Sequence, residues 1–380
     1  MKTQSKNNMT AVFPQKPEDL NCANLTQLLQ TAYPKAKVVD FTMTESKTFE
    51  AGSNEVSTAC RVGLDVELAG ENVESIHRRW VIKMCRPDLG DIPLYENEVN
   101  FYTRLRPEIE IETPACFGGV YDASERSFGI AMEDMRLRNV DFTNVTSDVS
   151  LAHMKSLLSL LATLHAQYWE SPRFATDLSW LQPHTAGPIY TLFNHPGMVP
   201  AMIAQEIEAN QFKRELVEGA GQTSDGLYRE FRKLQQHQSM LPQTLCHGDT
   251  HIGNCYSLPD GRAGLLDWQL MARGYCLHDV TYALMTGLSV GARRKHEGEL
   301  LAYYRQQLEE NGVASVPDAD TVWLEYRRAA IWGVYIGWLT TPISNYGWDI
   351  TVNNHIRLLT AYRDLECSAV LADLPDAAAF

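Results

Sequence analysis

Near residue 136 the chain passes from a mixed, strand-rich pattern to a helical one, and that change limits the folds open to it. Before it, most apolar runs alternate. "ACRVGLDVEL", residues 59–68, sets Val62, Leu64, Val66 and Leu68 on one face, the period-two pattern of a half-buried strand. "VVDFTM" and "RRWVIKMC" (78–85) read as further strands, and "FGGVYD" and "SFGIAME" around "ASER" as a hairpin. Two helical patterns are interleaved with them: residues 17–33, with Leu25, Leu28 and Leu29 in step, and the amphipathic stretch Leu94 to Leu105. After "MEDM", Met132 to Met135, helical spacing takes over: a long run from Val149 to Trp169, then about 198–217, 223–238, 292–310, 320–340 and 354–371. Ser171 to Pro200 holds five of the 17 prolines and reads as irregular connection. Strands first and helices afterwards define an α+β protein. At 380 residues the chain exceeds one ordinary core, so two lobes are expected, 1–135 and 136–380.

Charge and cysteine usage narrow the partners. A net charge of −14 argues against nucleic acid or an anionic membrane as the main partner. Eight scattered cysteines include no CxxC pair, so no zinc knuckle or redox pair is signalled. "MKTQSKNNMTAVFPQKPEDL" holds no apolar signal core, and "AAIWGVYIGWL", Ala329 to Leu339, is too short to span a bilayer. A cytoplasmic protein with free thiols is the expectation. Oligomeric state is not legible.

The chemistry concentrates in "HGDTHIGN", His247 to Asn254, and "LLDWQ", Leu265 to Gln269. Between them "CYSL", a "PDG" turn and "RAGLL" read as a small hairpin, which returns Asp267 to the side of Asn254. Asn254 and Asp267 then offer two hard oxygen donors to a cation such as Mg2+, and Asp249 stays free to face a substrate hydroxyl. Upstream, Lys83 sits on a strand and can reach nucleotide phosphates, while Glu98 on the next helix can pair with it. Glu96, two residues away, faces elsewhere on a helix, and Glu98 shares the direction of Phe101 and Tyr102. Gly52, Ser53 and Asn54 could form a turn whose backbone amides cover phosphates.

Bland roles compete at several of these positions. His247 reads as a prop for its loop. His251 makes H-x-D-x-H resemble a hydrolase metal site, but histidine suits zinc better than magnesium, and no third His or Cys has ligand spacing nearby. His165 reads as structural. Asp279 reads equally as a helix N-cap or as a brace for the loop. Trp332, Tyr335 and Trp338, three apart, read as core or as the wall of an acceptor pocket.

Together with "VIKM", "LATLHAQYW" and "HDVTYAL", these two motifs resemble the aminoglycoside phosphotransferase and choline kinase superfamily, and within it most nearly the ecdysteroid-kinase-like phosphotransferases. The resemblance runs over roughly residues 40 to 290. It implies a two-lobed protein-kinase-like fold and ATP- and Mg2+-dependent phosphorylation of a hydroxyl on a small molecule, whether a sterol-like alcohol, an aminoglycoside or an amino alcohol. It makes Asp249 the catalytic base, Asn254 and Asp267 the magnesium ligands and Lys83 the phosphate-binding lysine. The backbone of Glu133 to Met135 becomes the hinge that holds adenine, residues 1–135 the nucleotide-binding lobe, and 136–380 the catalytic and acceptor-binding lobe. Two departures matter. No G-x-G-x-x-G is present. Only nine residues separate "DWQ" from Asp279, too few for a protein-kinase activation loop, which favours a small acceptor over a protein. A catalytically silent nucleotide-binding module and a metal-dependent hydrolase are the alternative readings.

Overall fold

The protein is described from a computed structural model, which covers residues 12–47, 58–86, 93–339, 342–378 and 380. It divides into two compact units, one running up to Met135 and the other holding Arg136–Phe380 together with the short stretch Ile109–Thr113.

The first unit is built on five antiparallel strands. They are β1 (Ala36–Lys47), β2 (Ala59–Gly70), β3 (Arg79–Cys85), β4 (Cys116–Asp122) and β5 (Ser127–Glu133), in spatial order β1-β2-β3-β5-β4. Alternation in β2 sends Val62, Leu64, Val66 and Leu68 into a core with Trp80, Ile82 and Met84 of β3. Helix α1 (Cys22–Gln30) adds Leu25, Leu28 and Leu29 and is fixed at its start by Asn21 and Asn24, which cap each other's backbone amides. Helix α2 (Pro93–Asn100) follows β3 and buries Glu98 while Glu96 stays exposed. The expected single helix to Leu105 instead widens into a π-helical turn at Phe101–Leu105.

The second unit is mainly helical: α3 (Leu151–Gln167), α4 (Pro188–Asn194), α5 (Val199–Ala209), α6 (Gln211–Gly219), α7 (Ser224–Gln238), α8 (Leu277–Gly287), α9 (Val290–Glu310), α10 (Ala319–Trp332), α11 (Ile343–Asp364) and α12 (Cys367–Ala372). Between α7 and α8, β7 (Thr244–Cys246) pairs with β10 (Ala272–Gly274), while β8 (Cys255–Ser257) and β9 (Ala263–Leu265) form a hairpin edged by the two-residue strand β6 (Asp141–Phe142). Several long helical patterns are broken. The one at 198–217 splits where Asn210 turns extended (φ −137°, ψ 117°). The one at 320–340 leaves α-geometry at Gly333 for a π-helical turn. The one at 354–371 starts earlier, bends at Gly347 (φ 75°) and restarts at Cys367. The breaks at Asn210, Gly333 and Gly347 fall at residues of low helix propensity or at a π turn, whereas the one before Cys367 falls at Glu366, held left-handed (φ 49°) despite its good helix propensity.

Candidate active site

In the second unit, β7 delivers the chain into His247, Gly248 and Asp249. Gly248 is left-handed (φ 85°), and a Cβ there would stand 2.0 Å from the Leu270 carbonyl oxygen, so only glycine fits. The loop is clamped from α8. The Asp279 carboxylate accepts the amides of His247 (2.6 Å) and Gly248 (2.9 Å), and the Asp279 carbonyl accepts the Thr250 hydroxyl (2.6 Å). The N-cap reading of Asp279 is therefore overturned. Cys276 holds the cap position, and Asp279 lies inside the first turn with its carboxylate given to the loop. Its burial disfavours ionisation. The hydrogen bond from His165 Nε2 (3.2 Å) and the neighbouring imidazoles outweigh that and bring its pKa down to about 2. His165 is fixed in turn by the Tyr304 hydroxyl at 2.7 Å.

His247 joins this loop to the next one. Its Nε2 lies 2.8 Å from the Leu266 carbonyl, and its Nδ1 accepts the Asp249 amide at 3.2 Å. That pattern assigns a neutral ring with its proton on Nε2, in keeping with burial, which lowers its pKa. Trp268 packs on the imidazole at 4.4 Å and anchors its own Nε1 on Thr113 Oγ1.

The hairpin behaves as its spacing predicts. Cys255 pairs with Leu265, and the Leu266 amide donates to the Asn254 carbonyl at 2.8 Å, so Asp267 emerges beside Asn254. The short helical turn Ile252–Asn254 is capped by His251, whose Nδ1 accepts the Gly253 amide. Asn254 Nδ2 donates to the Asp249 carbonyl (2.9 Å) and to Asp249 Oδ2 (3.1 Å). That engagement fixes the amide and turns its carbonyl oxygen away from Asp249. Asp267 sits in the left-handed region (φ 65°, ψ 70°), a conformation that costs a non-glycine residue about 1–2 kcal/mol. Its charge is felt at Asp249: burial first, then Asp267, push the Asp249 pKa above its usual 3.8, against the pull of His251, His247 and the Asn254 bond. The Asp249 side chain keeps 17% exposure, which leaves it within reach of a substrate group.

The oxygen donors fit a hard cation. Asn254 has its amide nitrogen committed and its carbonyl oxygen uncommitted, and Asp267 supplies a carboxylate; oxygen-only sets of this kind suit Mg2+. The zinc alternative is less well served, since both ring nitrogens of His247 are used within the loops. Among the described residues one His/Cys/Asp group has ligand-like spacing, His165, Cys246 and Asp279. Its carboxylate is already taken by two amides, and burial pushes the Cys246 thiol well above its ordinary range.

In the first unit, Lys83 on β3 meets Glu98 of α2 at 2.5 Å, with both side chains buried. At the end of β5, the Glu133 amide donates to the Ala115 carbonyl, and the Glu133 side chain accepts the Ala115 amide at 2.8 Å. Met135 is buried at the start of the next turn. Gly52, Ser53 and Asn54 lie outside the described residues. Trp332 and Tyr335 are buried.

Two contributors were missed in the sequence reading. Tyr346, in the first turn of α11, has its phenol pushed up by burial and then by the charges of Asp249 and Asp267, so it lies within electrostatic reach of both carboxylates. Glu112 accepts Arg138 (2.8 Å) and the Tyr256 hydroxyl (2.8 Å), and its backbone carbonyl accepts the Leu265 amide, so it braces the hairpin. Neither has a local signal, because each partner is distant in sequence.

Comparison with known proteins agrees with this architecture. The structure of an ethanolamine kinase from Plasmodium vivax matches with a TM-score of 0.50 at 13% identity, over 84% of this chain and 83% of that one. At such identity the likeness concerns the fold, which is the kinase-like α+β fold. Choline kinase LicA from Streptococcus pneumoniae (TM-score 0.46, 12% identity, 86% and 94% covered) and a spectinomycin phosphotransferase (TM-score 0.46, 16% identity, 94% and 100% covered) are also similar. Among curated proteins none matches the sequence. The profile of the ecdysteroid kinase-like family matches residues 51–313, more than half of the chain, and the chain belongs to that family. Membership places it among the small-molecule phosphotransferases of the kinase-like superfamily.

Proposed function

We propose that the protein transfers the γ-phosphoryl group of ATP to a hydroxyl of a small molecule, with Mg2+ as the metal. The observation that carries this reading is the joint placement of Asp249, Asn254 and Asp267 by one clamped loop and one hairpin. Asp249 orients the acceptor hydroxyl and takes its proton; the acceptor oxygen bonds to the γ-phosphorus as the bond to the β,γ-bridging oxygen breaks, and ADP leaves. Burial, by raising the Asp249 pKa, makes the carboxylate a better proton acceptor than an exposed aspartate. Asn254 and Asp267 hold the metal, which when bound neutralises charge on the phosphate oxygens. Lys83, steadied by Glu98, binds phosphate oxygens, and the backbone of Glu133 to Met135 holds adenine, so that residues 1–135 serve the nucleotide and 136–380 the chemistry and the acceptor. Backbone amides at Gly52, Ser53 and Asn54 cover the phosphates. A cytoplasmic site of action suits ATP as donor; no described helix is long and apolar enough to cross a membrane.

The test is binding before turnover. MgATP at millimolar concentration should raise the melting temperature, and ATP with a chelator should raise it less, because a ligand that binds only the native state stabilises it. A screen of alcohols for acceptor-dependent ADP release then identifies the substrate. A melting temperature that does not respond to MgATP would sink the proposal.

A further inference from the structure

Asp279 is not alone on α8 in reaching the catalytic loop. His278, one place before it, meets the same residue: His278 Nε2 lies 3.1 Å from the Gly248 carbonyl oxygen, while the Asp279 carboxylate holds the Gly248 amide at 2.9 Å. Both polar backbone groups of Gly248 are therefore taken by neighbours in the first turn of α8, 30 and 31 residues ahead. A carbonyl oxygen only accepts, so the His278 ring carries its proton on Nε2. Burial lowers the pKa of the ring against the pull of the Asp279 and Asp249 carboxylates, which leaves it neutral with that single proton.

The carbonyl of Gly248 and the amide of Asp249 belong to one peptide. Its oxygen faces the Nε2–H of His278, and its N–H donates to His247 Nδ1 at 3.2 Å. One imidazole is the donor and the other the acceptor, at the two ends of a single plane. His247 cannot exchange its role, because its own Nε2–H is given to the Leu266 carbonyl at 2.8 Å. The His278 ring is held in place by Trp332 at 4.5 Å and by His184 at 4.4 Å.

That pairing decides between two orientations of the peptide. A peptide is planar, so turning it over exchanges the directions of its oxygen and its N–H with little displacement of the chain on either side. Glycine, lacking a Cβ, opposes such a turn least. Turned over, the oxygen would face the lone pair of His247 Nδ1, and the N–H would face the Nε2–H of His278: acceptor against acceptor, donor against donor. The nitrogen of Asp249 moves with its peptide, and with it the direction in which the side chain leaves the main chain.

Resting on the phosphotransfer reading above, we propose that His278 is a positioning residue for Asp249. Together with His247 it locks the Gly248–Asp249 peptide in one orientation and so aims the carboxylate at the acceptor hydroxyl. The donor on Nε2, and not the bulk of the ring, carries that role.

His278→Leu removes the donor and keeps an apolar side chain in the packing; His278→Met takes its place if His278→Leu melts early. His278→Gln restores an N–H at about the reach of Nε2. The peptide is followed by NMR on the full chain, with 13C in glycine carbonyls and 15N in aspartate. Only Gly–Asp peptides then give a signal, and the sequence has two, Gly90–Asp91 and Gly248–Asp249. Asp91→Asn deletes the first and so identifies the second. The Gly248–Asp249 signal should shift or broaden in His278→Leu and return in His278→Gln. ADP release from MgATP is measured separately, with water and then with the screened alcohols as acceptor. A small misplacement of a reacting group costs up to about 10²-fold, so kcat should fall roughly tenfold to a hundredfold in His278→Leu with KM for MgATP unchanged, and His278→Gln should recover most of it. An unmoved signal in the folded donorless variant, a moved signal with unchanged kcat, a KM that rises as kcat falls, or a His278→Gln variant as impaired as His278→Leu overturns the positioning role. A parent protein that neither binds MgATP nor releases ADP with any acceptor overturns the phosphotransfer reading instead; a signal that still moves in His278→Leu and returns in His278→Gln then leaves the lock on the peptide standing.

Discussion

The carboxylate of Asp279 holds the amide of Gly248 at 2.9 Å, one residue before Asp249. The bond crosses 31 residues and joins the first turn of α8 to the loop that carries the candidate base. Because Gly248 has room only for hydrogen on its α-carbon, the bond fixes a backbone conformation that side chains could not restore.

Asp279→Asn should therefore weaken both fold and rate. The amide presents an NH2 where one of two backbone N–H groups needs an acceptor, and breaking a buried charged network costs on the order of 3 kcal/mol. The pH dependence follows in sign. The folded pKa, about 2, lies below the ordinary 3.8, so the stabilisation is fully present above that ordinary value and is lost as pH falls towards 2. Urea midpoints of both proteins across that range check it; a variant as stable as the parent at neutral pH contradicts the clamp.

Gly248→Ala should be severe. The new methyl meets the Leu270 carbonyl in a left-handed backbone, and a loss of roughly 3 kcal/mol or more is expected, read from the denaturant midpoint. An unchanged midpoint would mean that the loop relaxes cheaply.

Asp249→Asn and Asp267→Asn should separate the two carboxylates. The first loses proton-accepting power, so turnover should fall roughly 10²–10⁴-fold with little change in MgATP affinity. The second should weaken MgATP binding as well as rate. In the parent enzyme the acid limb of kcat/KM should lie above pH 3.8, since burial raises the Asp249 pKa and only the carboxylate accepts a proton; that limb should vanish in Asp249→Asn. Calorimetric MgATP titration with initial rates decides it. Nucleotide binding lost at Asp249 and kept at Asp267 would reverse the assignment.

Lys83→Met leaves the Glu98 carboxylate buried beside an apolar chain. On the order of 3 kcal/mol should be lost, and Glu98→Gln added to it should recover part of that loss, because a buried carboxylate no longer faces an apolar chain. MgATP affinity should stay low in both variants. A double variant less stable than Lys83→Met means that the Glu98 charge is not what destabilises the single one.

The sequence by itself determined what depends on near neighbours. Alternation in β2 and helical spacing after Met135 set the element types, since burial follows a period of two or 3.6 whatever the wider fold. A short hairpin must return on itself, so the spacing of Asn254 and Asp267 already brought them together. Helical faces singled out Glu98 over Glu96 for Lys83. Tertiary structure alone decided what depends on partners far along the chain. Nothing local distinguishes Asp279 as a cap from Asp279 as a clamp, because the amides it accepts lie 31 and 32 residues away. Tyr346 comes within electrostatic reach of Asp249 only through the docking of α11, and Trp332 comes to line a cavity at Gly248 only through the packing of α10 on α8. Periodic patterns report that a residue is buried; only the packed chain shows which polar atoms are left unpaired there.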